Sequence, residues 1–432
     1  MITKAHWMAL SGLLATGAAF GCSAEIDPLG STSKEQGCSE ESFYPGVSLY
    51  VPKAPAGSAD QIKALTKAGE KADAKLIKKM TKQPAAVWLE HGTPKEVKKQ
   101  TQAVVEAAAE ESAIPVLVAY NIPFRDCAQF SAGGATSPEE YLAWVGGVAE
   151  GIGDKPAIVI LEPDGLGIIP YWTNPFSGVL DWCQPAEADP ATAASDRLAM
   201  LNAAVDLLMA KPEVRVYLDG THSAWIGVGE IASRLKQAGV DRATGVFYNA
   251  SNYRSTEESL IYGRWVSSCL DLAGGVSWWD PLWCPGQYAP DATGAYVLNY
   301  TPEHVAAVDA EYAGHLTNYT AAPIVVDLPF VLDTSRNGVG PWTPPADHPA
   351  GDAQDWCNPP DRGLGLRPTT DAGVDLVDAY LWIKTPGESD GSCNRWEPAG
   401  SPDPVRGMMD PAAGVWFPEQ ALELATFAVP AL

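Results

Sequence analysis

From Gly46 onward the chain alternates short apolar runs with longer amphipathic ones. GVSLYV, AAVWLE, PVLVAY, AIVILEP, VRVYLDG, GVFYNAS, PIVVDLP and AYLWIK are rich in β-branched and aromatic residues, the pattern of buried strands. Between them lie stretches with helical spacing, such as SADQIKALTKAGEKADAKLIKKM and SPEEYLAWVGGVAEGI. Strands alternating with helices predict a parallel sheet with crossover helices, and this many strands favour closure into a distorted α/β barrel. Four connections are long and rich in Pro, Gly and Trp: Gly167 to Ala194, Asp271 to Tyr300, Asn337 to Pro368, and Asn394 to Gly414. Long connections in a compact domain are more often functional than accidental. Those that follow strands gather over the C-terminal face of a barrel, around one mouth.

The start of the chain reads differently. Lys4 precedes the apolar run MALSGLLATGAAFG, which has the length of a secretory core and is too short to span a bilayer. Residues 1–22 are therefore expected to be a signal peptide. AFGC at Ala19 to Cys22 resembles a lipoprotein cleavage site, whereas CSA at Cys22 to Ala24 suits ordinary signal peptidase, so the protein is expected to be secreted or anchored at the outer surface. Residues 23–42 read as a polar linker, and the folded unit as 43–432.

Composition narrows the partners. A formal net charge of −24 over 432 residues disfavours nucleic acid and anionic membranes, both of which would be repelled. Eight cysteines without a C-x-x-C pair, and only six scattered histidines, read as disulfides rather than metal ligands. No metal or cofactor is expected. Cys38 has a partner in Cys22 only if Cys22 is neither lipidated nor removed.

Carboxylates and amides recur where strands end. Asp126 follows VLVAY, Asp164 follows AIVILEP, Asp219 ends VRVYLD, Asn249 follows GVFY, Asp333 follows VVDLPFVL, and Lys384, Glu388 and Asp390 follow AYLWIK. Any one of them could cap a helix or sit in a solvated turn. Together they form an acid cluster in which one carboxyl stays protonated while another ionises, the division of labour that glycosidic cleavage needs. Of the 15 tryptophans, Trp88, Trp172, Trp225, Trp278, Trp279, Trp283 and Trp356 fall near these positions. Aromatic faces stack on sugar rings, although a tryptophan is more often simply core.

In order, the motifs NIPFRDC, ILEPDGL, YLDGTHSAW, YNASNY, DTSRNG, WCNPPDRGLG and IKTPGESDG resemble glycoside hydrolase family six, from Phe43 to the C-terminus. The resemblance implies a seven-stranded, TIM-like barrel and inverting hydrolysis of β-1,4-glucan in cellulose or cello-oligosaccharides, with release of cellobiose expected. It makes Asp164 the general acid, Asp126 its assistant and Asp390 the carboxylate proposed as base. Tyr120 contacts the distorted sugar, and the loop at Ser131 organises the attacking water. Trp88, Trp225 and Trp356 become stacking platforms, and Asp219, His222, Asn249, Lys384 and Glu388 polar sugar contacts. The chain has D-G-T-H where the family more usually has D-A-G-H, which alters the turn presenting His222. The resemblance also implies the bridges Cys127–Cys183 and Cys357–Cys393, leaving Cys269 and Cys284, close in sequence, as a third.

Alternatives stay open at this stage. An open-cleft endoglucanase would share the same site, and a glycan-binding lipoprotein could keep the fold without the chemistry. An acid cluster without basic partners argues against the latter. A metal-dependent deacetylase barrel is disfavoured because no H-x-H or H-x-x-x-H pair occurs. The chain is expected to act as a monomer.

Overall fold

The computed structural model describes residues 46–432 apart from 347, 350 and 351. The expected signal peptide over 1–22, the linker over 23–42, Cys22 and Cys38 lie outside the described residues. Seven parallel strands form one sheet: β1 (Val87–Leu89), β2 (Val116–Ala119), β3 (Ala157–Leu161), β4 (Val214–Asp219), β5 (Gly245–Tyr248), then, past a separate hairpin of β6 (Tyr288–Pro290) and β7 (Tyr296–Leu298), β8 (Phe330–Asp333) and β9 (Val377–Leu381). The order β1-β2-β3-β4-β5-β8-β9 follows the chain, and the sheet curls until its edges meet. There Ala86 N donates to Trp382 O at 2.9 Å, and the Trp88 indole donates to Ile383 O at 2.9 Å. No strand pair closes that seam among the described residues, which is the distortion expected.

Each strand is read on two faces because side chains alternate with period two. Val118, Ile158, Ile160, Phe247, Val331 and Leu381 share a core inside the sheet. Their neighbours Leu117, Ala119, Val159, Leu161, Val216 and Val246 join a larger core beneath the helices. Every residue of β2, β3, β5 and β8 is buried, as a parallel sheet covered on both sides requires. The covering helices are α1 (Ser58–Ala68), α2 (Lys71–Met80), α3 (Pro94–Glu110), α4 (Pro138–Ile152), α5 (Ala193–Met209), α6 (Val228–Gln237), α7 (Thr256–Gly275), α8 (Pro302–Asn318) and α9 (Pro418–Thr426).

Three expectations shift. GVSLYV contributes only an isolated bridge, Leu49 to Ile114. PIVVDLP is not a strand: Pro323 and Pro329 lack an N–H, and the amides of Asp327 and Leu328 are taken by the Asp271 carboxylate at 3.0 and 3.3 Å, so pairing begins at Phe330. The connection from Asp271 to Tyr300 is not structureless, because Asp291 Oδ1 accepts from Thr293 N and Ala295 N and turns β6 into β7. The three expected bridges, Cys127–Cys183, Cys269–Cys284 and Cys357–Cys393, are all formed. No helix among the described residues is long and apolar enough to cross a membrane.

Candidate active site

A cleft of about 1210 Å³ opens at the C-terminal ends of the strands. Its wall holds Asp126, Asp164, Asp390, Tyr120, Ser131, Trp88, His222, Trp225, Trp356, Lys384 and Glu388. Of the expected site residues, Asp219 and Asn249 are not on that wall. Asp219 is buried and braces the loop after β3, accepting from the amides of Leu166 at 3.1 Å, Gly167 at 3.3 Å and Thr221 at 2.8 Å. Asn249 is likewise buried, bonding Asp333 O at 2.9 Å and Arg254 N at 3.0 Å.

The loops after β2 and β3 carry Asp126 and Asp164 in left-handed backbone, at φ 59° and 63°. Such conformations are costly for residues with a Cβ and persist only where the surroundings fix them. Here a buried acid and a buried base do so. Glu162 accepts from the amides of Asn121 and Ile122 at 3.0 and 3.1 Å. Arg197 donates to Pro123 O at 2.7 Å on one loop, and to Gly165 O and Ile168 O at 2.9 and 2.8 Å on the other. Asp126 then reaches back to accept from Ser131 N at 2.7 Å, while Arg125 Nε donates to Ser131 O at 2.8 Å. Cys127, bonded to Cys183, pins this turn to the long connection after β3.

The acids divide into two electrostatic classes. Desolvation, then the charges of Asp219, Asp126 and Asp390, hold Asp164 well above the usual carboxylate range. Among the described residues its carboxyl has no hydrogen-bond partner to oppose that rise. Burial pushes Asp126 up to about 6, against the Ser131 amide and Arg125. Asp390 goes the other way: burial would raise it, but Arg336, Lys384 and the Asn358 amide together bring it below the ordinary value. Arg336 Nη1 donates to both its oxygens at 2.8 and 3.0 Å, Tyr253 OH donates at 3.1 Å and Asn358 N at 3.0 Å. Lys384 Nζ lies 3.7 Å away. The cleft therefore presents one carboxyl biased toward its protonated form and one biased toward its ionised form.

Aromatic and polar groups line the rest. Tyr120 meets Trp88 edge-on at 5.2 Å, with the Arg125 guanidinium 4.5 Å from the Tyr120 ring centre. Trp225 packs so closely on Gly167 that a Cβ there would lie 2.4 Å from its ring, which fixes the ring at the cleft wall. His222 is held neutral, its pKa lowered to about 3 by burial and by Arg254. Its Nδ1 accepts from Ala224 N at 3.2 Å, leaving the Nε2 side as the donor.

Trp182, Trp342 and Trp382 also line the cleft, whereas Trp172, Trp278, Trp279 and Trp283 do not. Trp172 donates to Glu230 at 2.9 Å and lies under Arg234. Trp278 and Trp283 are exposed, gathered with Trp279 and Tyr319 away from the cleft wall. Sequence reasoning gave no role to Arg336, Tyr253, Asn358, Glu162 or Arg197. Arg336 and Glu162 stood inside the strand-end motifs DTSRNG and ILEPDGL, whereas Arg197 lies within a helix, where nothing local marked it. Cys393, Asp403 and Asp410 offer ligand atoms within 4.8 Å of one another, but Cys393 is bonded to Cys357 and Asp403 to Arg395 at 2.9 Å.

Residues 44–428 match the family described as Glycosyl hydrolases family 6. The chain belongs to glycosyl hydrolases family 6. Among its family 6 relatives, Endoglucanase A of Thermobispora bispora is 32% identical over 348 residues, covering 80% of this chain and 56% of that protein. The chain thus spans little more than half of that relative's length. A probable 1,4-beta-D-glucan cellobiohydrolase C of Aspergillus niger is 27% identical over 371 residues, covering 81% and 69% of the two chains. Among solved family 6 structures, the endoglucanase Cel6 of Mycobacterium tuberculosis, in complex with methyl-cellobiosyl-4-deoxy-4-thio-β-D-cellobioside, superposes with a TM-score of 0.60 at 28% identity. That likeness covers 89% of this chain and 98% of the other. Family 6 membership agrees with the seven-stranded curled sheet and the acid-lined cleft.

Proposed function

We propose that this protein hydrolyses β-1,4-glucosidic bonds of cellulose or related β-glucans with inversion at the anomeric carbon. The observation that carries the reading is the pairing, on one cleft wall, of a carboxyl that burial and neighbouring acids bias toward its protonated form, Asp164, with one that Arg336 and Lys384 bias toward its ionised form, Asp390. Asp164 donates its proton to the glycosidic oxygen as the bond to the anomeric carbon breaks. Asp126 sustains that proton through its nearby charge and orders the Ser131 loop, where water attacks from the opposite face. Asp390 is an acceptor of low basicity, since Arg336, Tyr253 and Asn358 already occupy its oxygens. The attacking water therefore loses its proton along further waters to solvent, while the Asp390 carboxylate stabilises the positive charge of the sugar.

Cutting within the chain is favoured over release from its ends. Release from chain ends would need the connections after β3 and β9 to roof the cleft between them. Of the connection from Asn394 to Gly414, only Ala413 and Gly414 reach the cleft wall. Polar groups of that connection turn inward, with Arg395 donating to Asp403 at 2.9 Å and to Gln354 O at 2.7 Å. The three bridges suit an oxidising compartment, in keeping with export of an enzyme whose substrate is an extracellular polymer. Proton NMR of the first product tests the mechanism: the α-anomer is expected, and the β-anomer would overturn inversion. Viscosity of carboxymethyl cellulose, followed against reducing ends, tests the mode. A rapid fall with few ends formed is expected, whereas slow loss with abundant cellobiose would restore the exo reading.

A further inference from the structure

The connection after β3 contains an exposed hairpin that the catalytic reading does not use. Thr173 bridges to Leu180, Asn174 N donates to Val179 O at 2.9 Å, and the Asn174 side chain accepts from the amides of Phe176 and Ser177 at 3.0 and 2.9 Å. Its base is fixed on three sides. Asp181 N donates to Trp172 O at 2.7 Å, Tyr171 N donates to Cys183 O at 2.8 Å, and Asn174 Nδ2 donates to Glu230 at 3.1 Å. Cys183 is bonded to Cys127, the residue after Asp126.

On this rigid support the apolar side chains face outward: Phe176 is 64% exposed, Val179 63% and Trp182 52%. Large apolar groups held in water at fixed geometry lose hydrophobic stabilisation unless something covers them. Trp182 also forms part of the cleft wall. The patch is thus continuous with the site, and the proposed substrate is a neutral polymer longer than any single site.

We propose that Trp182, carried by this hairpin, forms an outer glucan-binding subsite that stacks a glucosyl unit beyond those flanking the bond to be cut. The inference rests on the glucanase reading. Sugar rings present flat C–H faces that an indole covers without charge, and a platform held by a disulfide and six hydrogen bonds loses little side-chain freedom on binding. The subsite strengthens binding of long chains alone, because short oligosaccharides end before they reach it.

The test compares wild type, Trp182→Ala and Trp182→Phe on cello-oligosaccharides of increasing length. Trp182→Ala is expected to raise KM for cellohexaose and longer chains by about three- to tenfold, the scale of one aromatic stacking contact. kcat and the kinetics of the shortest cleaved oligosaccharide stay unchanged, and Trp182→Phe recovers most of the affinity. Equal kinetics at every length would overturn the proposal, as would a loss that includes the shortest substrate. Concentration-dependent dimerisation abolished by Trp182→Ala would assign the patch to a second copy instead. If wild type cleaves no β-1,4-glucan, the glucanase reading fails separately. Calorimetric titration with cellohexaose then decides the subsite: weaker binding by Trp182→Ala supports it, and equal or absent binding in both proteins refutes it.

Discussion

Arg336 places one guanidinium nitrogen between both carboxylate oxygens of Asp390, at 2.8 and 3.0 Å, with both side chains buried. Arg336 and Lys384 hold that carboxylate below the usual aspartate range, and its remaining acceptor capacity is taken by Tyr253 and Asn358. Arg336→Met removes the cation and leaves the carboxylate buried without its principal partner, expected to cost about 3–5 kcal/mol of stability. In the folded variant the pKa of Asp390 rises, so the acid-side inflection of kcat moves to higher pH. Arg336→Lys restores part of the charge and part of the shift. An unmoved acid limb in a folded Arg336→Met protein would show that Asp390 takes no part in the reaction.

Asp164→Asn keeps the shape of the side chain and deletes the proton. Loss of a general acid typically lowers the rate on the order of 10²–10⁴-fold. Binding of cellotetraose, measured by quenching of tryptophan fluorescence, is expected to survive because Trp88, Trp225 and Trp356 are untouched. Turnover of swollen cellulose within about threefold of wild type would remove Asp164 from the role.

Stability should depend on pH with a sign fixed by the buried acids. Burial lifts Glu162 to about 7 and Asp126, Asp271 and Asp410 to about 6 in the folded protein, from ordinary values of 4.5 for Glu162 and 3.8 for the aspartates. The folded state therefore holds protons that the unfolded chain releases. Their contribution is fully present below the unfolded values and is lost as pH rises through 6 to 7. Asp390, lowered instead, acts only in strong acid, where stability falls as it protonates. Melting temperature is expected to drop between pH 5 and pH 7.5, and a flat or rising profile across that window would contradict the assignment.

Phe130 packs against Gly391, the residue after Asp390. A Cβ on Gly391 would sit 2.3 Å from the Phe130 ring, whose centre lies 6.3 Å from that of Trp356. Gly391→Ala is expected to push Phe130 off this seat and lower kcat/KM about tenfold, the scale of a small misplacement near reacting groups. Phe130→Ala in the same background relieves the clash and is expected to recover part of the loss. Additive losses in the double variant would show that the two residues act independently.

The sequence by itself determined most of the strands, their two-faced alternation and the cleft's raw materials. Period-two alternation is local, and a strand that ends in a polar residue delivers it to one face of the barrel, so Asp126, Asp164 and Asp390 could be placed together before any coordinates. Where prolines remove amide donors, as in PIVVDLP, the apolar run alone misled, because pairing depends on which N–H groups exist as well as on hydrophobicity. Tertiary structure alone decided which tryptophans serve the cleft, separating Trp356 and Trp182 from Trp278 and Trp283. It also turned Asp219 and Asn249 from expected sugar contacts into buried braces, and joined Arg336 to Asp390 across 54 residues. The reason is range. Hydrophobic period and strand ends are written in neighbouring residues, whereas a pKa is set by whichever charges folding brings within a few ångströms, and those lie anywhere in the chain.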